Sequence, residues 1–170
     1  FILRHLTKRH WVIIFGNGEK KRLHTLIGQN LQHQIVVNYC GIDTNFWTPK
    51  PFEPEYILAL GNDSQRDYQT LLDAAKHVSF PFLLITRKYV PDDLPSNVTL
   101  LSGDMRQEII SDVALREIYR KAACVVIPLL ETLQPSGQSV CLQAMACGIP
   151  VIMTNTSGIW DATKLHDGVN

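Results

Sequence analysis

Two stretches of this chain carry residue types that can hold an anion. The first is Gln134–Ser139, which reads Gln, Pro, Ser, Gly, Gln, Ser and runs into an apolar segment that stops at Gly148. A Pro/Ser/Gly loop that opens a helix leaves the first backbone N–H groups unpaired. It also places the positive end of the helix dipole there, and both features favour a phosphate. Gly137 and Gln138 would offer backbone amides, and Ser136 and Ser139 would add hydroxyl donors. The same stretch reads equally well as an ordinary N-cap, because serine is a preferred cap in any helix. The second stretch is Gly61–Arg66. Gly61 permits a sharp turn after a strand, with Asn62 beside it. Arg66 falls in the expected first turn of the next helix, where the dipole disfavours a cation unless an anion lies nearby. The competing reading is a surface arginine paired with Asp63 or Asp67. Arg87 and Lys88 follow another strand, and they either face the same crevice or are simply solvated. The six His and four Cys show no metal-ligand spacing and no CxxC pair. No GxSxG, Walker A or GxGxxG occurs, so a hydrolase triad, a P-loop ATPase and a nicotinamide fingerprint are unsupported.

Such residues need elements to position them. Trp11–Phe15 reads as a buried strand broken at Gly16–Gly18, residues 19–27 as a helix, and 34–38 as a second strand. Residues 49–54 hold three prolines, which neither a helix nor a central strand accommodates, so this segment reads as a linker. Regular alternation follows. Strands are expected at 56–60, 82–86, 98–101, 124–128 and 150–154, and helices at 66–77, at 115–123 or from a few residues earlier, and at 137–147. A last helix is expected near Gly158. Short apolar strands alternating with helices imply an α/β fold, a parallel sheet with helices on both faces. Ligands of such sheets bind outside the carboxyl ends of the strands. The informative positions are therefore Gly61–Arg66, Arg87–Lys88, Ser102–Asp104, Glu131–Ser139 and Asn155–Gly158.

Composition bounds the rest. A length of 170 residues fits one domain or a large part of one. With 45% hydrophobic and 19% charged residues the chain is of globular type. Sixteen Lys+Arg balance sixteen Asp+Glu, which removes a chain-wide basic field and with it nucleic acid as a partner. The apolar runs are too short to span a bilayer. Cys40, Cys124, Cys141 and Cys147 read as reduced thiols. The basic, amphipathic residues 1–10 read as a solvated helix face. The chain begins at Phe1 and stops at a turn signal, so a segment of a longer protein is expected.

The stretch Pro128–Val151 resembles the donor-binding domain of retaining GT-B glycosyltransferases, the glycosyl transferases group 1 family. The family pattern there is Pro, an acidic loop, a Gly-containing phosphate loop, a helix bearing Glu-Ala-Met-Ala-Cys-Gly, then Pro-Val. Ala144–Val151 matches it closely, and Ala122–Pro128 is similar to the strand before the loop. Ile42–Pro49 resembles the segment that closes the family's first domain. The resemblance implies two Rossmann-like domains, incomplete here at both ends. Residues 1–48 would be the end of the N-terminal acceptor domain, 49–54 the interdomain linker, and 55–170 the truncated donor-binding domain.

By the same resemblance the whole protein is a hexosyltransferase-type enzyme, cytoplasmic, that transfers sugar from a UDP- or GDP-sugar with retention. The acceptor is a glycan, a lipid or another molecule, and peripheral membrane association fits the last two. This segment alone is expected to be inactive. The resemblance implies no cofactor and no metal, with Arg66 and the helix N-terminus neutralising the diphosphate together with Ser136, Gly137, Gln138 and Ser139. Gln143 would bind the ribose through the acceptor oxygen it keeps in place of a carboxylate, and Gly103 and Asp104 would border the base. Gly61, Asn62, Arg87, Lys88 and Glu131 are further candidates. The departures are specific. Asn62 replaces a common Arg, and Arg66 stands for the diphosphate-binding Lys. Pro135 and Gln143 stand where the family has two glutamates, the first near the donor sugar and the second on the ribose hydroxyls. Glu131 is the nearest carboxylate that could substitute. These changes leave two alternatives: a nucleotide-binding module without transfer, and a nucleotide-sugar epimerase. The second is poorly supplied with acid/base side chains, Glu131 and Asp104 being the obvious ones.

Overall fold

The computed structural model describes residues 10–27, 34–88, 91–102, 110–158, 165 and 168. The chain divides into two compact units. The larger comprises residues 42–130 and 139–154, and the smaller comprises 1–41, 131–138 and 155–170.

In the smaller unit, β1 (Val12–Ile14) pairs in parallel with β2 (Ile35–Val37), and α1 (Asn17–Ile27) connects them. Ile14 and Ile35 are buried, while Trp11, Ile13, Phe15 and Val36 are exposed. The turn Gly16–Gly18 is needed for close packing. A Cβ on Gly18 would lie 2.6 Å from the Ser157 carbonyl oxygen and 2.8 Å from that of Leu133.

The larger unit holds a five-stranded, wholly parallel sheet of order β5-β4-β3-β6-β7. Its strands are β3 (Tyr56–Leu60), β4 (Phe82–Ile85), β5 (Val98–Leu101), β6 (Ala122–Ile127) and β7 (Val151–Met153), and its helices are α2 (Tyr68–Ala75), α3 (Asp112–Arg120) and α4 (Gln138–Ala146). Successive strand residues point to opposite faces. The consecutive residues Leu58, Ala59 and Leu60 are all buried, so both faces of the central strand are covered. On one face Ala59, Phe82 and Leu84 pack with Tyr68, Leu71, Leu72 and Ala75 of α2. This is the α/β, Rossmann-like architecture expected from the sequence. Among the described residues no helix is long and apolar enough to cross a membrane.

Several boundaries differ from expectation by one to three residues, and three of the differences have a clear local reason. Helix α2 starts at Tyr68, not Arg66, because the Asp67 carboxylate caps it by accepting from the Thr70 amide at 3.1 Å. Helix α3 starts at Asp112 and ends at Arg120, its N-cap being Ser111, whose hydroxyl accepts from the Ala114 amide. Strand β6 begins at Ala122, two residues early, because it continues to pair with β3 through a register shift at Tyr56–Ile57. The expected helix near Gly158 lies outside the described residues, as do residues 1–9.

The segment before β3 is anchored to α3 by arginines. Arg120 donates through Nε to the Thr48 carbonyl at 2.8 Å and through Nη2 to the Thr48 hydroxyl at 2.7 Å. Arg116 donates to the Phe46 carbonyl and lies 4.4 Å above the Phe46 ring.

Buried phenols give the fold a pH signature. Desolvation raises Tyr68 from 10.0 to about 12, against a smaller opposing pull from Arg66, and desolvation likewise raises Tyr56 to about 12. A folded chain that holds these protons longer than the unfolded chain does is fully stable below pH 10. It loses stability as pH rises from about 10 through about 12. Denaturant midpoints measured across that window should fall steadily, and flat midpoints would remove the buried phenols as the cause.

Candidate functional site

The sheet order marks a topological reversal. The chain moves outward from β3 through β4 to β5, then returns to the other side of β3 with β6 and β7. The order reverses between β3 and β6, and ligands of open parallel sheets bind outside the carboxyl ends of the strands at such a reversal. The two loops leaving β3 and β6 are stitched together there. Arg66 forms an isolated antiparallel bridge with Leu129. The Asp67 amide donates to the Pro128 carbonyl at 3.0 Å, and the Leu130 amide to the Gln65 carbonyl at 2.9 Å.

Arg66 therefore stands at the reversal, but not as the exposed first-turn cation expected from the sequence. It precedes the helix, and its side chain is only 2% exposed. The guanidinium Nε lies 3.1 Å from Asp63 Oδ2, the pairing that the sequence offered as a surface alternative. The contact is ionic without hydrogen-bond alignment, so Nε and Nη1 are both buried without a hydrogen-bond acceptor among the described residues. Gly61 makes room for this group. Its φ is +137°, and a Cβ there would sit 2.6 Å from Arg66 Nη2 and 2.9 Å from Cζ.

The loops after β3 and β4 are also knitted together. The Gly61 carbonyl accepts from the Tyr68 hydroxyl at 2.7 Å and from the Thr86 hydroxyl at 2.9 Å. Asn62 Oδ1 accepts from the Arg87 amide at 2.6 Å. The Lys88 ammonium donates to the carbonyls of Ser64, at 3.4 Å, and Arg66, at 3.3 Å. Gly61, Asn62, Arg66, Arg87 and Lys88 are thus drawn together, and cations predominate among them.

Helix α4 follows Gly137, whose φ is +83°. Because α4 begins at Gln138, Gly137 stands at the cap position, with Ser136 before it and Ser139 in the first turn. Gln143 is partly buried, and its Oε1 accepts from the Tyr119 hydroxyl at 3.0 Å. The acceptor oxygen expected to face a ligand is thus already engaged, because the buried phenol needs an acceptor.

In the smaller unit, Gln138 uses its side chain internally. It donates to the Phe15 carbonyl at 3.2 Å and accepts from the Cys40 amide at 3.3 Å. Glu131 accepts from the Ser157 amide at 3.1 Å, so one of its carboxylate oxygens holds a turn. Gly103 and Asp104 lie outside the described residues. Tyr119, Tyr68 and Thr86 were not read from the sequence as site residues. Their apolar surroundings made them ordinary core, and only their hydroxyl partners distinguish them. All four cysteines are free, and burial raises Cys124, Cys141 and Cys147, which makes them poor nucleophiles.

The family model described as Glycosyl transferases group 1 matches residues 54–170, more than half of the chain. Among solved structures, the chain is similar to the C-terminal domain of a glycosyl transferase group 1 family protein, LpcC, from Francisella tularensis. The TM-score is 0.54 and the identity 16%, over 75% of this chain and 76% of that one, a likeness of fold. No curated protein matches the chain.

Proposed function

The chain belongs to the glycosyl transferases group 1 family, and we propose that it contains the donor site of an enzyme that moves a sugar from a nucleotide diphosphate sugar to an acceptor with retention. The observation that carries this reading is Arg66. A buried guanidinium needs charge compensation and hydrogen-bond acceptors. Asp63 supplies part of the charge, and Nε and Nη1 still lack acceptors. Diphosphate oxygens at the strand ends would supply both.

The chemistry follows from the same groups. As the glycosidic bond breaks, its electron pair goes to the departing diphosphate, whose negative charge grows. Arg66 and the hydroxyl and backbone amide of Ser139 would stabilise that charge. Lys88 adds positive potential from the next loop. Gln143 meets the ribose. Cytoplasmic location and an acceptor in the whole protein's other domain belong to the same proposal, as does the division at 1–48, 49–54 and 55–170.

A second reading is favoured by Pro135 and Gln143. Neither carries a carboxylate, and the Gln143 oxygen is bound by Tyr119. That arrangement suits a nucleotide-binding module without transfer.

Calorimetric titration of the chain with UDP, GDP and ADP tests the binding common to both. One of the three should bind saturably, with an affinity that falls as salt rises because the contact is ionic. No binding by a demonstrably folded chain would end the donor-site reading. Sugar transfer by the longest natural chain containing these residues then separates enzyme from module.

A further inference from the structure

The Tyr119–Gln143 bond deepens the donor-site reading and rests on it. Tyr119 is fully buried on α3, 24 residues from Gln143, and its hydroxyl donates to Gln143 Oε1 at 3.0 Å. The phenol cannot swing away. Trp47, itself buried, meets the Tyr119 ring edge-on at 5.6 Å and 89°, and Phe46 meets Trp47 edge-on at 5.1 Å. Arg116 lies over Phe46 and donates to its carbonyl. The ring is thus clamped from the segment preceding β3, with its hydroxyl aimed at α4. Burial also raises the Tyr119 pKa well above the ordinary tyrosine value, so the hydroxyl remains a proton donor at any working pH.

An amide has one acceptor end and one donor end. With Oε1 taken by Tyr119, the Nε2 end remains, and it makes no hydrogen bond among the described residues. We propose that Tyr119 is a positioning residue that orients the Gln143 amide so that Nε2 donates to the 2′-hydroxyl oxygen of the bound nucleotide's ribose. A glutamate at position 143 would accept from two ribose hydroxyls. The oriented glutamine instead donates to one, and the Tyr119 bond decides which end does so.

The test is a comparison of ribose with deoxyribose. The chain is titrated with a nucleoside diphosphate and its 2′-deoxy analogue, UDP with dUDP if uracil is the base bound. A single neutral hydrogen bond predicts a preference for the ribonucleotide of about 3- to 10-fold. Tyr119→Phe keeps the ring against Trp47 and removes only the hydroxyl. It should reduce that ratio towards one while the deoxynucleotide binds almost as before. Gln143→Ala should reduce the ratio equally, and the double variant should go no further than Gln143→Ala alone. Equal weakening of both nucleotides by Tyr119→Phe, with the ratio intact, would make Tyr119 a packing residue and overturn the proposal. An unfolded Tyr119→Phe chain is covered by Gln143→Glu in the native background. Tyr119 keeps donating to the carboxylate, whose free oxygen then accepts from ribose, so the ratio should rise. An unchanged ratio there also overturns it. Failure of the native chain to bind either nucleotide overturns the donor site itself, an outcome distinct from binding without a change in ratio.

Discussion

Replacing Arg66 with alanine is expected to lower turnover in the full-length enzyme by about 100- to 1,000-fold, the range found when one preorganised donor to a developing oxyanion is removed. Nucleoside diphosphate affinity should fall by about tenfold or more, since charge-assisted bonds exceed neutral ones. Stability should change much less. The Asp63 partner is 37% exposed, so water takes over the carboxylate when the cation leaves. The alanine also removes two buried nitrogen atoms that lack hydrogen-bond acceptors, a cost already borne by the native fold. The signature is therefore a large kinetic loss with a small shift in melting temperature. Arg66→Lys should recover only part of the activity. A lysine keeps the charge but not the planar fork that lies on Gly61. Native turnover in a folded Arg66→Ala enzyme would make the arginine a structural group of the loop and leave α4 alone to hold the diphosphate.

Much of the scaffold was legible because local rules coincide with the fold. Strands Tyr56–Leu60 and Val98–Leu101 lie where their apolar runs place them. A Pro-rich segment precedes the first, and Gly61 ends it. Helix α2 was read too long because its apolar face at Leu71, Leu72 and Ala75 says nothing about where it starts. The Asp67 cap decides that, and a capping aspartate and a surface aspartate look the same in a sequence. The candidate site was legible in position but not in state. Parallel-sheet topology puts Gly61–Arg66 at a strand end, whatever the side chains do. That Arg66 would be buried depends on Leu129, 63 positions away, pairing with it. Gln138 shows the same limit. Its type and place suit an anion loop, yet its amide joins Phe15 to Cys40, partners 123 and 98 residues distant. Gln143 was read as offering an oxygen, and only the partner on α3 reveals that the oxygen is already occupied. In each case residue type was informative, while the direction of a hydrogen bond was set by long-range packing.

Gly61→Ala should damage both stability and binding, and how the two losses combine identifies the role of Gly61. Its φ of +137° lies where an L-residue with a Cβ is strained, which costs about 1–3 kcal/mol wherever the new methyl finds room. For a chain of this size that corresponds to a melting temperature lower by several degrees. The methyl does not find room. It would lie 2.6 Å from Arg66 Nη2 and 2.9 Å from Cζ. A guanidinium at the end of a long side chain normally yields cheaply, but this one is 2% exposed and held beside Asp63. Two responses are open. If the guanidinium moves, nucleotide binding is lost and stability falls only by the backbone strain. If the Gly61 backbone moves, it breaks the bonds its carbonyl accepts from Tyr68 and Thr86, and stability falls further. The double variant Gly61→Ala/Arg66→Ala separates these terms. With the guanidinium gone the collision disappears, so its stability should equal or exceed that of Gly61→Ala alone, a non-additivity expected of residues in contact. Additive losses in thermal denaturation would mean that the two residues do not share this space, and Gly61 would then matter only for its backbone angle.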